Sequence, residues 1–241
     1  LTSALTLIKC LACGIFSGAL IGLIGALFYK ALSYVTEMRT ANSYIIFLLP
    51  FAGIIIVFLY RIVGEEKNRG TNLVITAIQS NEEVPIKVAP LIIISTLLTH
   101  MCGGSAGREG AALQVGGSIG SFLGRLFKFD EKDTRVMVMC GMSACFSALF
   151  GTPIAATVFS MEVISVGVMY YSALVPCIVS AFVAQGIAGL LNVTPTSFNI
   201  GEVVALTPST GARFLILSII FALASILLCA VLHNTSHLFS K

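Results

Sequence analysis

The run Gly107-Arg108-Glu109-Gly110 sets a carboxylate and a guanidinium inside an otherwise apolar stretch. Ionisable side chains in such surroundings are costly, and they mark function by default. A carboxylate at a helix start lies beside backbone N–H groups without intrahelical acceptors, where an anion would bind. Charged, it competes with the anion; protonated, it leaves. Those two states make a gate coupled to protons, with Glu109 as the working group. The plainer alternative is an acidic residue that complements the helix dipole, with Arg108 as its ion-pair partner. From these four residues alone the two readings stand level.

Other chemistry has less support. Gly103 to Gly110 lacks the G-K-[ST] ending of a nucleotide loop, and no strand pattern precedes it. His100, on the apolar stretch before the glycines, reads as satisfied by a local hydrogen bond, and His233 and His237 read as interfacial. Only His100 and Cys102 stand near Glu109, neither with a partner, so the chain does not read as an enzyme. Cys10 with Cys13 and Cys140 with Cys145 lie in apolar runs without a neighbouring histidine, as packing residues do. No metal and no cofactor is expected.

The elements that must position Glu109 are broken ones. Asn68-Arg69-Gly70-Thr71-Asn72 precedes a stretch, Leu73 to Gln79, too brief to span a bilayer. Pro85 and Pro90 reset the chain before Leu91 to Met101. The glycine-rich break from Cys102 to Gly110 then leads into a helix from Ala111 to Phe127, and Phe150-Gly151-Thr152-Pro153 makes a second break. At membrane depth, irregular backbone survives only where it packs in protein or lines a polar cavity. Helix starts carry about half a positive charge, and discontinuous helices in transporters aim such starts at anions. The starts at Gly70 and Gly110, with Phe146 to Pro153 as a third wall, are expected to converge on one anion.

Composition supplies the membrane. Hydrophobic residues make up 57% of the chain and charged residues 10%, with a net charge of +3; mean hydropathy is +0.99. A soluble domain carries about 25% charged residues, so these charges are too few to wet a globule. Uncharged runs extend from Cys10 to Tyr29, Ala41 to Tyr60, Val136 to Met161, Ile164 to Ile200 and Phe214 to Leu232. Each reaches the roughly 20 residues that cross about 30 Å of hydrocarbon. The first run lacks a small-residue cleavage site and reads as a membrane helix, not a leader. The small net charge, without a basic stripe, gives no reason to expect nucleic acid. The chain reads as an all-α, multi-pass protein of the cell membrane, one transmembrane domain over 1–241 with broken and tilted helices. Lysine and arginine counting does not set its orientation, because several segments are too short or broken to count as crossings.

These residues resemble a family. Gly107-Arg108-Glu109-Gly110 with Gln114-Val115-Gly116-Gly117 is similar to the G-R-E-G-P-x-x-Q-x-G-G signature of the CLC chloride channels and proton-coupled exchangers. Cys140 to Phe146 through Pro153 to Glu162 resembles the helix that follows it there, and Arg69-Gly70-Thr71-Asn72 falls where that family has its G-S-G-I-P anion loop. The resemblance implies an anion transporter with Glu109 as the gating glutamate. It implies Arg108 as the partner that positions the gate, and Gly107 and Gly110 as glycines that let backbone N–H groups approach the anion. The loop of Asn68, Arg69, Gly70 and Thr71 would cradle the central anion, with Phe146 and Thr152 as further walls. A homodimer with one pore per subunit, membrane lipid, protons, and fluoride or chloride are the partners implied.

Departures from the signature carry information. Arg69 or Asn68 stands near the family's anion-loop serine, and Asn72 replaces its proline. Ala111 replaces the proline after G-R-E-G. Val163 stands where chloride exchangers carry a second, proton-transferring glutamate. These resemble the fluoride/proton antiporter branch, so fluoride/proton antiport is favoured. The alternatives are a chloride channel or chloride/proton exchanger, and a membrane scaffold that does not transport. The chain resembles only the first half of the CLC inverted repeat: no G-x-F-x-P loop and no C-terminal tyrosine wall is found, and the second repeat is absent.

Overall fold

The computed structural model describes residues 2–65, 70–80, 83–163, 169–194, 201, 205 and 207–239. It forms two compact units, Leu1–Thr196 and Ser197–Lys241. The elements of the first, among its described residues, are helices: α1 (Thr2–Ala41), a 3₁₀ turn (Ser43–Leu48), α2 (Leu49–Val63), α3 (Thr71–Ser80), α4 (Val88–Met101), α5 (Glu109–Leu126), α6 (Glu131–Phe150), α7 (Pro153–Glu162), a 3₁₀ turn (Tyr171–Ala173) and α8 (Leu174–Leu190). The second unit contains α9 (Pro208–Phe239). Its start is capped by Thr207, whose Oγ1 accepts from the Thr210 amide at 3.3 Å.

Both expected breaks form. Gly151, at φ +67, closes α6 in the left-handed conformation, and Pro153 opens α7, so the run from Val136 to Met161 is two helices. Four helical segments are long and apolar enough to cross a membrane: Leu11–Ala41, Ser43–Val63, Tyr171–Leu190 and Pro208–Thr235. The helix α1 has 40 residues; at 1.5 Å per residue that is about 60 Å, twice the hydrocarbon thickness. It therefore continues through Lys30, Glu37 and Arg39, past the end of its apolar run.

Small residues hold the first unit together, and large apolar ones face outward. Every residue of α5 from Ala111 to Ser121 is buried. Gly116 of α5 meets Gly141 of α6 so closely that a Cβ on either would collide with the other's carbonyl oxygen. On α1, Gly14, Gly18 and Gly22 lie against Pro176, Ser180 and Ala184 of α8 in the same order, so these helices run parallel. Serines tie α6 to α8: Ser143 Oγ donates to the Cys177 carbonyl at 3.2 Å, Ser147 Oγ to Ala181 at 2.8 Å, and Ser180 Oγ to Cys140 at 3.0 Å. Phe47, Phe51, Ile54 and Phe58 on the outer surface are exposed. Membrane helices pack this way because lipid rewards no burial of large side chains, whereas small residues let backbones approach and hydroxyls pair.

Contacts also sort the helix ends. Arg125, near the end of α5, bonds Glu83 and the Val84 carbonyl ahead of α4. Lys87, beside the start of α4, donates to the Val63 carbonyl at the end of α2, at 2.9 Å. At the opposite end, the Arg39 side chain of α1 packs on Gly103, just past α4.

Candidate functional site

Two helix starts meet inside the first unit. A Cβ on Gly110, in the first turn of α5, would stand 2.9 Å from the Thr71 hydroxyl at the start of α3. Further along both helices Val74 packs against Gly117, so the two lie side by side with their N-termini together. Gly70, at φ +60, turns the chain into α3. Each start presents backbone N–H groups and the positive end of a helix dipole, and the two lie next to each other.

Glu109 is the first residue of α5, and its N-cap Arg108 makes no side-chain cap bond. The Glu109 carboxylate folds back over the preceding turn: a Cβ on Gly107 would lie 2.7 Å from Oε2. Glycine at 107 therefore leaves the space that the carboxylate fills. The Arg108 guanidinium points elsewhere, 5.4 Å from the Phe150 ring centroid and 6.0 Å from that of Tyr29, within reach of cation–π attraction. Phe150 stacks on Phe146 at 4.4 Å, and Phe146 meets Phe159 of α7 at 5.4 Å. Tyr29 is fixed in turn by its hydroxyl, which donates to the Thr194 carbonyl at 2.6 Å.

Of the residues singled out from sequence, the fold brings Thr71, Gly107, Glu109 and Gly110 together, with Gly70 beside them. Arg108 joins them to the aromatic stack through Phe150, and Phe146 belongs to that stack. Thr152, exposed at the N-cap of α7, lies just past it. Asn68 and Arg69 lie outside the described residues. Tyr29 was not legible as a site residue, and Phe150, inside the expected third wall, was not legible as a partner of Arg108, since nothing in sequence links either to it. The one available signal was the four-residue spacing of Phe146 and Phe150, which puts both on one helix face. Among the described residues no group of three or more His, Cys, Asp or Glu side chains could hold a metal ion.

A cavity of about 340 Å³ opens beside this site, lined by Leu32, Ser33, Thr36 and Glu37 of α1, His100 of α4, and Arg108.

A glycine-rich break that feeds a buried helix, a carboxylate at that helix's first residue and a second short helix starting alongside it define an integral membrane protein of the CLC type. The chain belongs to the voltage gated chloride channel family, whose sequence model matches residues 51–241. It is 36% identical over 216 residues to a "Chloride/fluoride channel protein" of Pseudomonas syringae pv. tomato, covering 89% of this chain and 48% of that one. It is 25% identical over 240 residues to the "H(+)/Cl(-) exchange transporter ClcA" of Salmonella paratyphi B, covering 93% and 51%. Among solved structures it is similar to a CLC-type fluoride/proton antiporter, with a TM-score of 0.84 and 34% identity over 90% of this chain and 55% of that one. A slow cyanobacterial Cl⁻/H⁺ antiporter shares the fold, with a TM-score of 0.68 and 21% identity. The chain thus spans about half the length of the relatives it matches.

Proposed function

We propose that the whole protein to which this chain contributes exchanges fluoride for protons, with Glu109 as the proton-accepting gate. The observation that carries this reading is the meeting of the α3 and α5 starts at Thr71 and Gly110, with the Glu109 carboxylate one residue away. An anion between the two starts and an ionised Glu109 want the same N–H groups. They exclude each other until a proton neutralises the carboxylate, so the movement of one is tied to that of the other. Arg108, held over Phe150 and Tyr29, fixes the turn from which Glu109 swings.

Fluoride is favoured over chloride on chemical grounds. It is small and strongly hydrated, and a site that strips its water must return several short hydrogen bonds. Helix-start amides with a threonine hydroxyl supply donors of that kind. Val163 in place of an internal proton-carrying glutamate, Ala111 in place of proline and the missing loop serine all depart from the chloride pattern toward the fluoride one. The similarity to a fluoride/proton antiporter at 34% identity supports the same choice. In this reading the protein is a homodimer in the cell membrane, with one pore in each subunit.

The test is efflux from liposomes that hold the full-length protein, with fluoride and chloride compared and internal pH recorded. Fluoride loss with counter-moving protons is expected, and Glu109→Gln should remove the proton movement. Chloride flux equal to or above that of fluoride would place the protein among the chloride carriers. No flux of either ion would leave a scaffold.

A further inference from the structure

We propose that Gln114 is a ligand of the transported anion, its side-chain amide turning an N–H toward the place where the α3 and α5 starts meet. The inference rests on fluoride exchange through that site and adds a side-chain donor to it. Gln114 lies one turn along α5 from Gly110 and is 7% exposed. Its neighbours on that side of the helix place it. Gly110 faces the Thr71 hydroxyl at the start of α3, and Gly117 faces Val74, one turn along α3. Ser118 donates to the Pro85 carbonyl at 2.6 Å. At roughly 100° per residue, Gln114 falls between the directions of Gly110 and Ser118, about 40° from each. Long side chains on a helix lean toward its N-terminus, and Gln114 does so: its Nε2 donates to the Gly110 carbonyl at 3.3 Å. Thr71 and the Gln114 amide thus both reach Gly110, the residue after Glu109.

The two ends of the amide are placed differently. A carbonyl only accepts, so the bond to Gly110 sets the nitrogen toward the helix start and the oxygen away from it. Nε2 carries two hydrogens, and Gly110 takes one; the other has no acceptor among the described residues. Oε1 is buried and accepts no hydrogen bond among the described residues. A buried acceptor without a donor is costly, and each such group calls for a reason. The amide dipole supplies one here. With nitrogen forward, its positive end adds to the positive ends of α3 and α5. With oxygen forward, it would set a negative end where an anion binds. An anion between the starts gains the second N–H of Gln114 beside the Thr71 hydroxyl. Fluoride, which must replace tightly held water with several short donors, depends on that N–H more than chloride does.

Methionine has nearly the length of glutamine and no N–H, so Gln114→Met removes the donor and the unpartnered oxygen together. In the full-length protein in detergent, isothermal titration should show fluoride bound about tenfold more weakly, and chloride weakened by less than about threefold. Without anion the variant should melt no lower than the wild type, because a buried acceptor without a donor has gone. Unchanged fluoride affinity would overturn the inference. Equal weakening of both anions would do so too, since it marks a change of shape at the helix starts and not the loss of a ligand. If Gln114→Met does not fold, Gln114→Asn keeps the amide and withdraws it by one carbon; the same loss of preference for fluoride is expected, and wild-type preference would sink the assignment. The wild-type titrations separate this from the reading on which it rests. A wild type that binds chloride as tightly as fluoride fails that reading, whereas equal fluoride preference in wild type and variant fails Gln114 alone.

Discussion

A methyl group on residue 107 would stand 2.7 Å from Oε2 of Glu109, and what happens then depends on which partner can move. The carboxylate is the far end of a flexible side chain, so it moves and the backbone does not. Gly107→Ala should therefore leave stability within about 0.5 kcal/mol of wild type while driving the carboxylate from its folded-back position. The expected result is anion flux with fewer protons returned per anion, read from a fluoride electrode and a pH electrode in one vesicle experiment. Unchanged stoichiometry would mean that the folded-back position has no part in the cycle. This corner was legible in sequence for a physical reason: charge in an apolar stretch is rare, and glycine beside it has few other uses. The aromatic seat of Arg108 was not legible, because Tyr29 and Phe150 come from helices whose packing on α5 no local pattern encodes. His100 was legible as a residue with a local bond, which its Nδ1 makes to the Thr96 carbonyl.

At the scale of elements, the glycines of α5 decide whether Glu109 is positioned at all. At Gly116 the obstacle to a Cβ is the backbone carbonyl of Gly141, which belongs to a buried helix and cannot step aside. Gly116→Ala should cost about 3 kcal/mol or more through forced separation of α5 and α6. Gly186 and Gly189 on α8 are internal controls, with open space where a Cβ would go. Alanine there should be neutral or stabilising by up to about 1 kcal/mol, since it removes chain entropy from the unfolded state. Thermal unfolding in detergent distinguishes the cases; a Gly116→Ala protein that melts with the wild type would show that the α5–α6 contact is not tight. Helix existence was readable from the uncharged runs, but their limits were less so. The charges at Lys30, Glu37 and Arg39 end the first run while α1 continues to Ala41. The run from Ile164 to Ile200 looks like one long crossing, yet α8 occupies only Leu174–Leu190. In α5 the order is reversed: Gln114, Ser118 and Ser121 are polar for a lipid-facing span, and they are tolerated because the helix is buried from Ala111 to Ser121.

For the first unit as a whole, the fold supplies an orientation that sequence counting did not. Contacts collect the end of α2, the starts of α4 and α6 and the end of α5 at one end of the unit, because Arg125 ties α5 to the segment before α4 and Lys87 ties α4 to Val63. Arg61, Lys87, Arg125, Lys128, Lys132 and Arg135 all lie there. The opposite end, where α1 and α4 finish and the chamber opens, has Arg39 and Arg108. An excess of lysine and arginine stays in the cytoplasm during insertion. The turn from α5 to α6 should therefore face the cytoplasm, and the chamber of His100 and Glu37 the outside. Single cysteines in an otherwise cysteine-free full-length protein report this with a membrane-impermeant maleimide on intact cells. Tyr44→Cys, in the exposed turn after α1, should label on intact cells. Lys128→Cys, in the turn between α5 and α6, should label only after permeabilisation. The reverse pattern would turn the molecule over and place the chamber on the cytoplasmic side.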